Sequence, residues 1–360
     1  MKRTFILGAI ALLFSGAIAV AEQATLIDFG KLNADIVPDK NGNMTQNRRT
    51  IMDYGAVAGA SYTDEQKAAM RSSLAIGQWE VILNSSSKNP VSVAVSHAVE
   101  APVSEEAKNF AGERLLGVRV EFPTWNNNAN AVIKPAFLIP AYETMTQVDD
   151  EGNLQEPSEE DKASGKGRFE DGYGVVNNVG VIKSIAVNTY GLNFPHGLFV
   201  LLRDQNNEVH RHFMGYLLFD GWKELVWNNP QYITYVKSRE VRLYPVYPLA
   251  MPRVTFDGFL ITRDAAHDGG PYIGYFKDVK VIYDKAVLNT ARDFADEDIW
   301  GIQTAREMER RKIEVARFGQ KQVLNYLEQQ KMATETGFAP SEGSEAAREQ
   351  GGQAEAAAAE

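Results

Sequence analysis

The side chains with the best credentials for chemistry in this chain are few. His210 and His212 stand two apart, and alternate positions on a strand would place both imidazoles on one face, where they could chelate one ion. A third ligand is not evident nearby, and Arg211 and Phe213 suit an ordinary half-exposed strand. The expectation is no metal and no cofactor. With no cysteine in 360 residues, a covalent nucleophile would be a serine or threonine activated by one of five histidines. The sequence has no Gly-x-Ser-x-Gly elbow, no phosphate-cradling glycine loop ahead of a helix and no His-Glu-x-x-His pair. Paired carboxylates of the glycosidase kind leave no local motif, so they carry no specificity here. The expectation is a protein that is not an enzyme. Two Asn-x-Ser/Thr tripeptides, at Asn43 and Asn84, are read as chance matches.

Flat rings carry more information. Trp125, Trp222, Trp227, Tyr232 and Tyr235 lie in or beside polar turn segments as well as in strands. An exposed ring there stacks on a sugar or on a neighbouring subunit, whereas a buried one fills the core. Trp125, Trp222 and Trp227 are therefore the candidate surface contacts. Trp222 and Trp227 are five apart around an expected turn, so the two need not be buried together.

The elements that would position these rings are strands. Apolar residues recur at period two: Trp79, Val81 and Leu83; Leu116, Val118, Val120 and Phe122, with Gly117, Arg119 and Glu121 opposite and Pro123 as a stop. Ile185 to Thr189, Phe199 to Leu202, Leu217 to Phe219, Val254 to Phe259, Tyr272 to Tyr275 and Val279 to Tyr283 continue the pattern, giving about ten candidate strands. Turn clusters such as Asp204 to Glu208 and Asp268-Gly269-Gly270 separate them, and no amphipathic helix alternates with them, which excludes a doubly wound α/β fold. The fold expected is mainly β, an antiparallel β-sandwich of jelly-roll, galactose-binding-like type, with a C-terminal helix and a disordered tail.

Along the chain this gives a signal peptide at 1–21 and a sandwich domain at 22–290, interrupted by an exposed acidic loop at about 147–172. A helical segment at 291–333 and a low-complexity tail at 334–360 follow. Two smaller β-domains split near the acidic loop are the alternative. The thin apolar stripe of the helix is Ile302, Ile313, Ala316, Leu324 and Leu327.

Lys2 and Arg3 ahead of an apolar run from Phe5 to Phe14, then Ala19-Val20-Ala21, predict export with cleavage between Ala21 and Glu22. No later run reaches the ~18 apolar residues of a membrane span, so no membrane association is expected. The formal charge of −10 becomes −12 once Lys2 and Arg3 leave with the acid-free leader. That balance, with no basic stripe, argues against nucleic acid. With no disulfide available, the fold must rest on its core.

The ordered segments resemble one family. Thr25-Leu26-Ile27-Asp28-Phe29, Asn47-Arg48-Arg49-Thr50-Ile51-Met52-Asp53-Tyr54 and Trp79 to Ser86 open the match. Leu116 to Pro123, Ile133 to Pro140, Gly180 to Ile185 and Tyr190 to Pro195 form its strongest part. Gly221-Trp222-Lys223 through Asn228-Asn229-Pro230, Arg242-Leu243-Tyr244-Pro245 and Tyr275 to Tyr283 complete it in the same order. Together they resemble the flagellar filament outer-layer protein, FlaA, of spirochaetes, with Ala136 a local departure where a second proline is expected. The resemblance implies a structural sheath subunit in the periplasm that coats a core of flagellins and affects filament stiffness and shape. The implied partners are core flagellins and other sheath subunits including copies of itself; if flagellin is glycosylated, exposed rings add its glycans as a further partner. An independently secreted subunit must be added to the filament from outside, and heterologous contacts between copies then generate an open helical array. The competing reading is a periplasmic glycan-binding β-sandwich module.

Overall fold

The computed structural model describes residues 21–32, 36–38, 44–46, 51–52, 61–70, 72–125, 128–139, 169–241, 252–286, 294 and 299–336. The leader before Ala21, the acidic loop before Phe169, the tail, and the segments Asn47 to Thr50 and Arg242 to Pro245 lie outside these residues.

Along the chain the first elements are β1 (Glu22–Asp28), β2 (Ile36–Pro38), β3 (Met44–Gln46), β4 (Ile51–Met52), α1 (Asp64–Ala69), β5 (Ser72–Ser73) and β6 (Trp79–Leu83). Next come α2 (Pro90–Val95), β7 (His97–Pro102), β8 (Arg114–Phe122), β9 (Ala129–Pro135), β10 (Val175–Asn177) and β11 (Val179–Leu192). The last are β12 (Gly197–Arg203), β13 (Val209–Tyr216), β14 (Asp220–Asn228), α3 (Tyr232–Val241), β15 (Arg253–Arg263), β16 (Gly270–Lys285) and α4 (Ile302–Thr336).

Two antiparallel sheets face each other as a sandwich, and both follow one plan. The first runs β14-β11-β16-β8-β7, with β1 sharing the β8 side of β16. The second runs β13-β12-β15-β9-β6, with β10 sharing the β9 side of β15. Each sheet thus has one long central strand that pairs with one strand along most of its length on one side and with two in succession on the other. The inner faces are the apolar parities expected: Leu116, Val118, Val120 and Phe122 on β8, Ile185 and Val187 on β11, and Leu198, Val200 and Leu202 on β12 are all buried. Rings join the two sheets at the centre. Phe276 of β16 stacks on Phe259 of β15 at 4.4 Å, and Phe256 and Phe29 close round Phe259 at 5.1 and 5.9 Å.

Both central strands carry a bulge that reverses which parity faces inward. On β16, Tyr272 and Phe276 point into the core, and beyond a register shift Val279, Val281 and Tyr283 do so. Two separate strands were expected over Tyr272 to Tyr275 and Val279 to Tyr283; the break in alternation marks a bulge in one strand. On β15 the shift falls between Phe256 and Gly258, so Phe256 and Phe259 are both buried. Gly258 has φ of +145°, and a Cβ there would lie 2.4 Å from the Ile133 carbonyl oxygen, so only glycine fits.

Two further expectations are corrected. Leu217 to Phe219 is the link between β13 and β14, and Leu217 is apolar because it is buried there with its N–H donating to the His196 carbonyl at 2.9 Å. Trp222 and Trp227 lie on one continuous strand, β14, and are not separated by a turn. Helix α3 was not anticipated, since the hydrophobic pattern of Tyr232 to Val241 is weak.

By its contacts the chain forms two compact units. The sandwich belongs to Met1–Asn33, Glu80–Lys134 and Glu170–Ala295; the other unit holds Ala34–Trp79, Pro135–Phe169 and Asp296–Glu360. In the latter, β2 pairs with β3 and β4 with β5, and α1 opens with a capping box in which Thr63 and Gln66 bond reciprocally at 2.9 and 3.3 Å. The helix expected from Asp293 to about Lys331 forms as α4, set off by Gly301 at φ of +56°. Of the apolar stripe, Ile313, Leu324 and Leu327 are exposed, Leu324 by 59 %. Among the described residues of that helix, Gly319 and Gln322 are the buried positions.

Several polar side chains are buried in the sandwich, and His196 lies among its aromatic rings. His196, 4 % exposed, stacks on Phe122 at 5.0 Å and lies 5.1 Å from Tyr272. Burial, reinforced by His267 and Arg263, lowers its pKa to about 4. The unfolded chain binds that proton near pH 6.5, so stability is full at neutral pH and falls as pH drops from about 6.5 through 4. The loss from His196 is roughly 3 kcal/mol. Urea denaturation of wild type and His196→Phe at pH 7 and pH 4.5 checks this: the variant loses markedly less of its midpoint on acidification.

Candidate functional site

The three candidate tryptophans lie in three different environments. Trp125 follows β8 in a loop; its side chain is 55 % exposed, while its carbonyl accepts from the buried guanidinium of Arg263 at 2.9 Å. Trp222 and Trp227 have opposite parity on β14, so Trp222 faces outward and Trp227 shares the inner face with buried Leu225. No pair of the three is brought together.

Trp222 heads a row of directly paired residues across the outer face of the first sheet. Register places Trp222 opposite Tyr190, Tyr190 opposite Tyr275, Tyr275 opposite Gly117 and Gly117 opposite Val99. Neighbouring rings meet edge to face, Trp222 with Tyr190 at 5.4 Å and Tyr190 with Tyr275 at 6.1 Å. Gly117 makes the row flat, since a Cβ there would sit 3.0 Å from the Ala101 Cβ and 3.4 Å from the Tyr275 ring. Phe110, held at φ of +57° in the loop between β7 and β8, packs on Trp222 at 4.7 Å. The partners of Trp222 were not legible in the sequence, because Tyr190, Tyr275 and Phe110 meet it only through strand register and a loop.

Beside the row a charged pin fixes that loop. Lys277, at the bulge of β16, is 7 % exposed and bonds Asp28 Oδ1 at 2.7 Å and the Glu113 carboxylate. Its ammonium also lies 5.6 Å from the Phe110 ring centre. Burial alone would pull the Lys277 pKa down, but bonds to Asp28 and Glu113 outweigh it and hold it above the usual lysine range. Gly30 gives the pin its room: its N–H donates to Asp28 Oδ1 at 3.0 Å, and a Cβ there would come within 2.6 Å of Nζ. Next along β16, burial raises the pKa of Asp278, opposed by a 2.7 Å hydrogen bond from Asn188 and by Lys280.

On the inner side, Trp227 meets His212 of β13 across the two sheets at 4.4 Å. Burial, then neighbouring His210, lowers the His212 pKa to about 4, so the ring is neutral at pH 7. His210 and His212 do share a strand face, but His210 turns to Asp204 at 3.4 Å. Asp204, Glu208 and His210 can bring ligand atoms within 4.8 Å of one another. Asp204 is already the cap of this turn, accepting from the N–H groups of Asn206 and Glu208 at 2.8 and 2.9 Å. Burial works against its charged form, yet those bonds and His210 outweigh it and hold its carboxyl below the usual range. A groove of about 700 Å³ opens beside Trp227 and His212.

Glu22 begins β1 opposite Tyr283 and forms an ion pair with Lys285 at 2.8 Å.

These features define a mainly β protein: a two-sheet antiparallel sandwich that offers an aromatic outer face and a polar groove at one sheet edge. The family model of the flagellar filament outer layer protein Flaa matches residues 43–292. A flagellar filament outer layer protein of Treponema pallidum (strain Nichols) is 71 % identical over 97 % of this chain and 100 % of its own length. One from Spirochaeta aurantia is 45 % identical over 94 % of this chain and 95 % of its own. The chain belongs to the flagellar filament outer layer protein family. Among solved structures, TmCBM61 in complex with β-1,4-galactotriose is similar at a TM-score of 0.26 and 10 % identity, covering 58 % of this chain and 90 % of that one.

Replacing Lys277 by Met leaves Asp28 and Glu113 facing each other without their cation. The expected cost is roughly 2–3 kcal/mol, below the value for a fully buried pair because Glu113 is partly solvated. Urea denaturation measures the cost, and the Trp222 emission should shift to the red as the Phe110 loop loosens.

Proposed function

We propose that this protein is a structural subunit of the outer layer of a periplasmic flagellar filament, coating a flagellin core and contributing to its stiffness and shape. The observation that carries this reading is identity of 71 % sustained over the whole length of a relative that bears the outer-layer name. Identity at that level over the full length preserves surface as well as core, and an assembly subunit acts through its surface. The partners are core flagellins and neighbouring copies, and the role needs no catalysis. Export fits the same reading. Cleavage between Ala21 and Glu22 releases a chain whose next residues are already β1, paired to β16.

Two surfaces suit contacts between copies: the aromatic row from Trp222 to Val99, and the exposed stripe of Ile313, Leu324 and Leu327 on α4. Wild-type protein should co-sediment with filaments after gentle lysis, and removing its gene should leave naked filaments of normal core composition. Trp222→Ala should reduce the sedimented fraction several-fold while the protein stays folded. Recovery of the mature protein only in the cytoplasm, or never with filaments, rules the proposal out.

A second reading, glycan recognition, is favoured by the groove beside Trp227, whose lining combines rings with hydrogen-bonding groups.

A further inference from the structure

The groove at Trp227 differs from the aromatic row in the state of its polar groups. Its charged groups are largely satisfied within the protein: Arg203 bonds the carboxylate of Asp257, and His210 faces Asp204. Arg211 also lines the groove, exposed and on the strand parity opposite to His212. The uncharged groups are open. Among the described residues the His212 ring nitrogens, the Gln231 side-chain amide and the Tyr235 hydroxyl make no hydrogen bond, and Gln205 Oε1 is buried without a partner. A buried acceptor left unbonded costs ~1–3 kcal/mol, so it marks a position where a donor from outside belongs.

Two rings frame these groups. Trp227 is half-buried against His212, and Tyr235, on the first turn of α3, is 47 % exposed. The fold holds this arrangement in place. Asn229, directly after β14, donates to the Ile182 carbonyl at 2.8 Å and accepts from the Gln231 N–H at 2.9 Å. That turn joins the end of β14 to the start of α3 and sets Trp227, Gln231 and Tyr235 along one wall. His212 and Gln205 come from the opposite wall, on β13 and the turn before it.

Flat apolar faces beside several neutral donors and acceptors match the surface of a sugar ring, which has C–H patches and a rim of hydroxyls. An anionic ligand would instead need free cations aimed inward, and Arg203 is occupied by Asp257. We propose that this groove is a saccharide-binding site for a neutral sugar unit, with Trp227 as the stacking surface and His212, Gln205 and Gln231 as hydrogen-bond partners. The assignment deepens the glycan reading above and does not depend on the outer-layer role. Of the three tryptophans it selects Trp227, and it leaves Trp222 and Trp125 outside the sugar site. Neutral His212 supports it, since an uncharged imidazole both donates to and accepts from hydroxyls at pH 7.

The test is isothermal titration calorimetry of the mature protein with neutral oligosaccharides of galactose, glucose, xylose and N-acetylglucosamine. Saturable binding of at least one is expected, weakened tenfold or more by Trp227→Ala and unchanged by Trp222→Ala. Gln231→Ala and Tyr235→Phe alter exposed side chains and are expected to weaken binding severalfold; they keep the test decisive if Trp227→Ala does not fold. Binding to none of the four sugars overturns the proposal, as does equal binding by wild type and by all three groove variants. Co-sedimentation with filaments stripped of their outer layer, before and after mild periodate oxidation, separates the sources of the sugar. Loss on oxidation places it on the filament; unchanged co-sedimentation together with oligosaccharide binding assigns a free polysaccharide. Failure to co-sediment in every condition counts against the outer-layer role and leaves the calorimetric result standing.

Discussion

A buried ammonium group organises one side of this sandwich. Taking Lys277 out of water is unfavourable unless partners replace its hydration, and the chain supplies Asp28 from the end of β1, Glu113 from the loop before β8 and the face of Phe110. These groups come from three parts of the sequence separated by long stretches, so the pin closes only when β1, the β7–β8 loop and β16 are all in register. The bulge places Lys277 there. If β16 ran without a register shift, the residues beyond Phe276 would keep its parity and Val279 would turn away from the core.

The outer aromatic row depends on the same pin. Phe110 sits at a positive φ that a bulky side chain adopts only when its surroundings hold it. Lys277 on one side and Trp222 on the other are those surroundings. Gly117 and Gly30 act together with them, the first letting Tyr275 lie close to the sheet and the second leaving space for the ammonium. The aromatic face is thus anchored from beneath by polar bonds as well as by packing.

Much of the sandwich was legible because burial on one face imposes period two. Leu116 to Phe122 showed the strand, its inner face and its stop at Pro123. The same rule hid the bulges: at Lys277-Asp278 and at Asp257-Gly258 the alternation slips by one, which a single sequence shows as an interruption, and β16 was split in two. The site was legible only by residue type. Trp222 and Trp227 stood out as rings in polar surroundings, but their neighbours come from register and from across the two sheets, through Tyr190 in one case and His212 in the other. On α4 the spacing of Ile313, Leu324 and Leu327 marked a stripe but left its direction open, since a thin apolar stripe does not itself reveal which face the other elements cover.

The odd spacing of the two tryptophans gives β14 a double use. As the outermost strand of its sheet it offers Trp222 to the outer face and Trp227 to the groove, so one short strand borders both surfaces. Such an edge also exposes unpaired backbone groups, which invite uncontrolled pairing with another chain. Exposed charges on β14, Lys223 and Glu224, and Arg211 on β13, the edge strand of the other sheet, discourage that pairing. A subunit that must repeat along a filament needs contacts of one defined geometry, and side chains on a rigid sheet face specify orientation where backbone edges permit slippage. By that argument the faces of this sandwich suit the proposed assembly role better than its edges do.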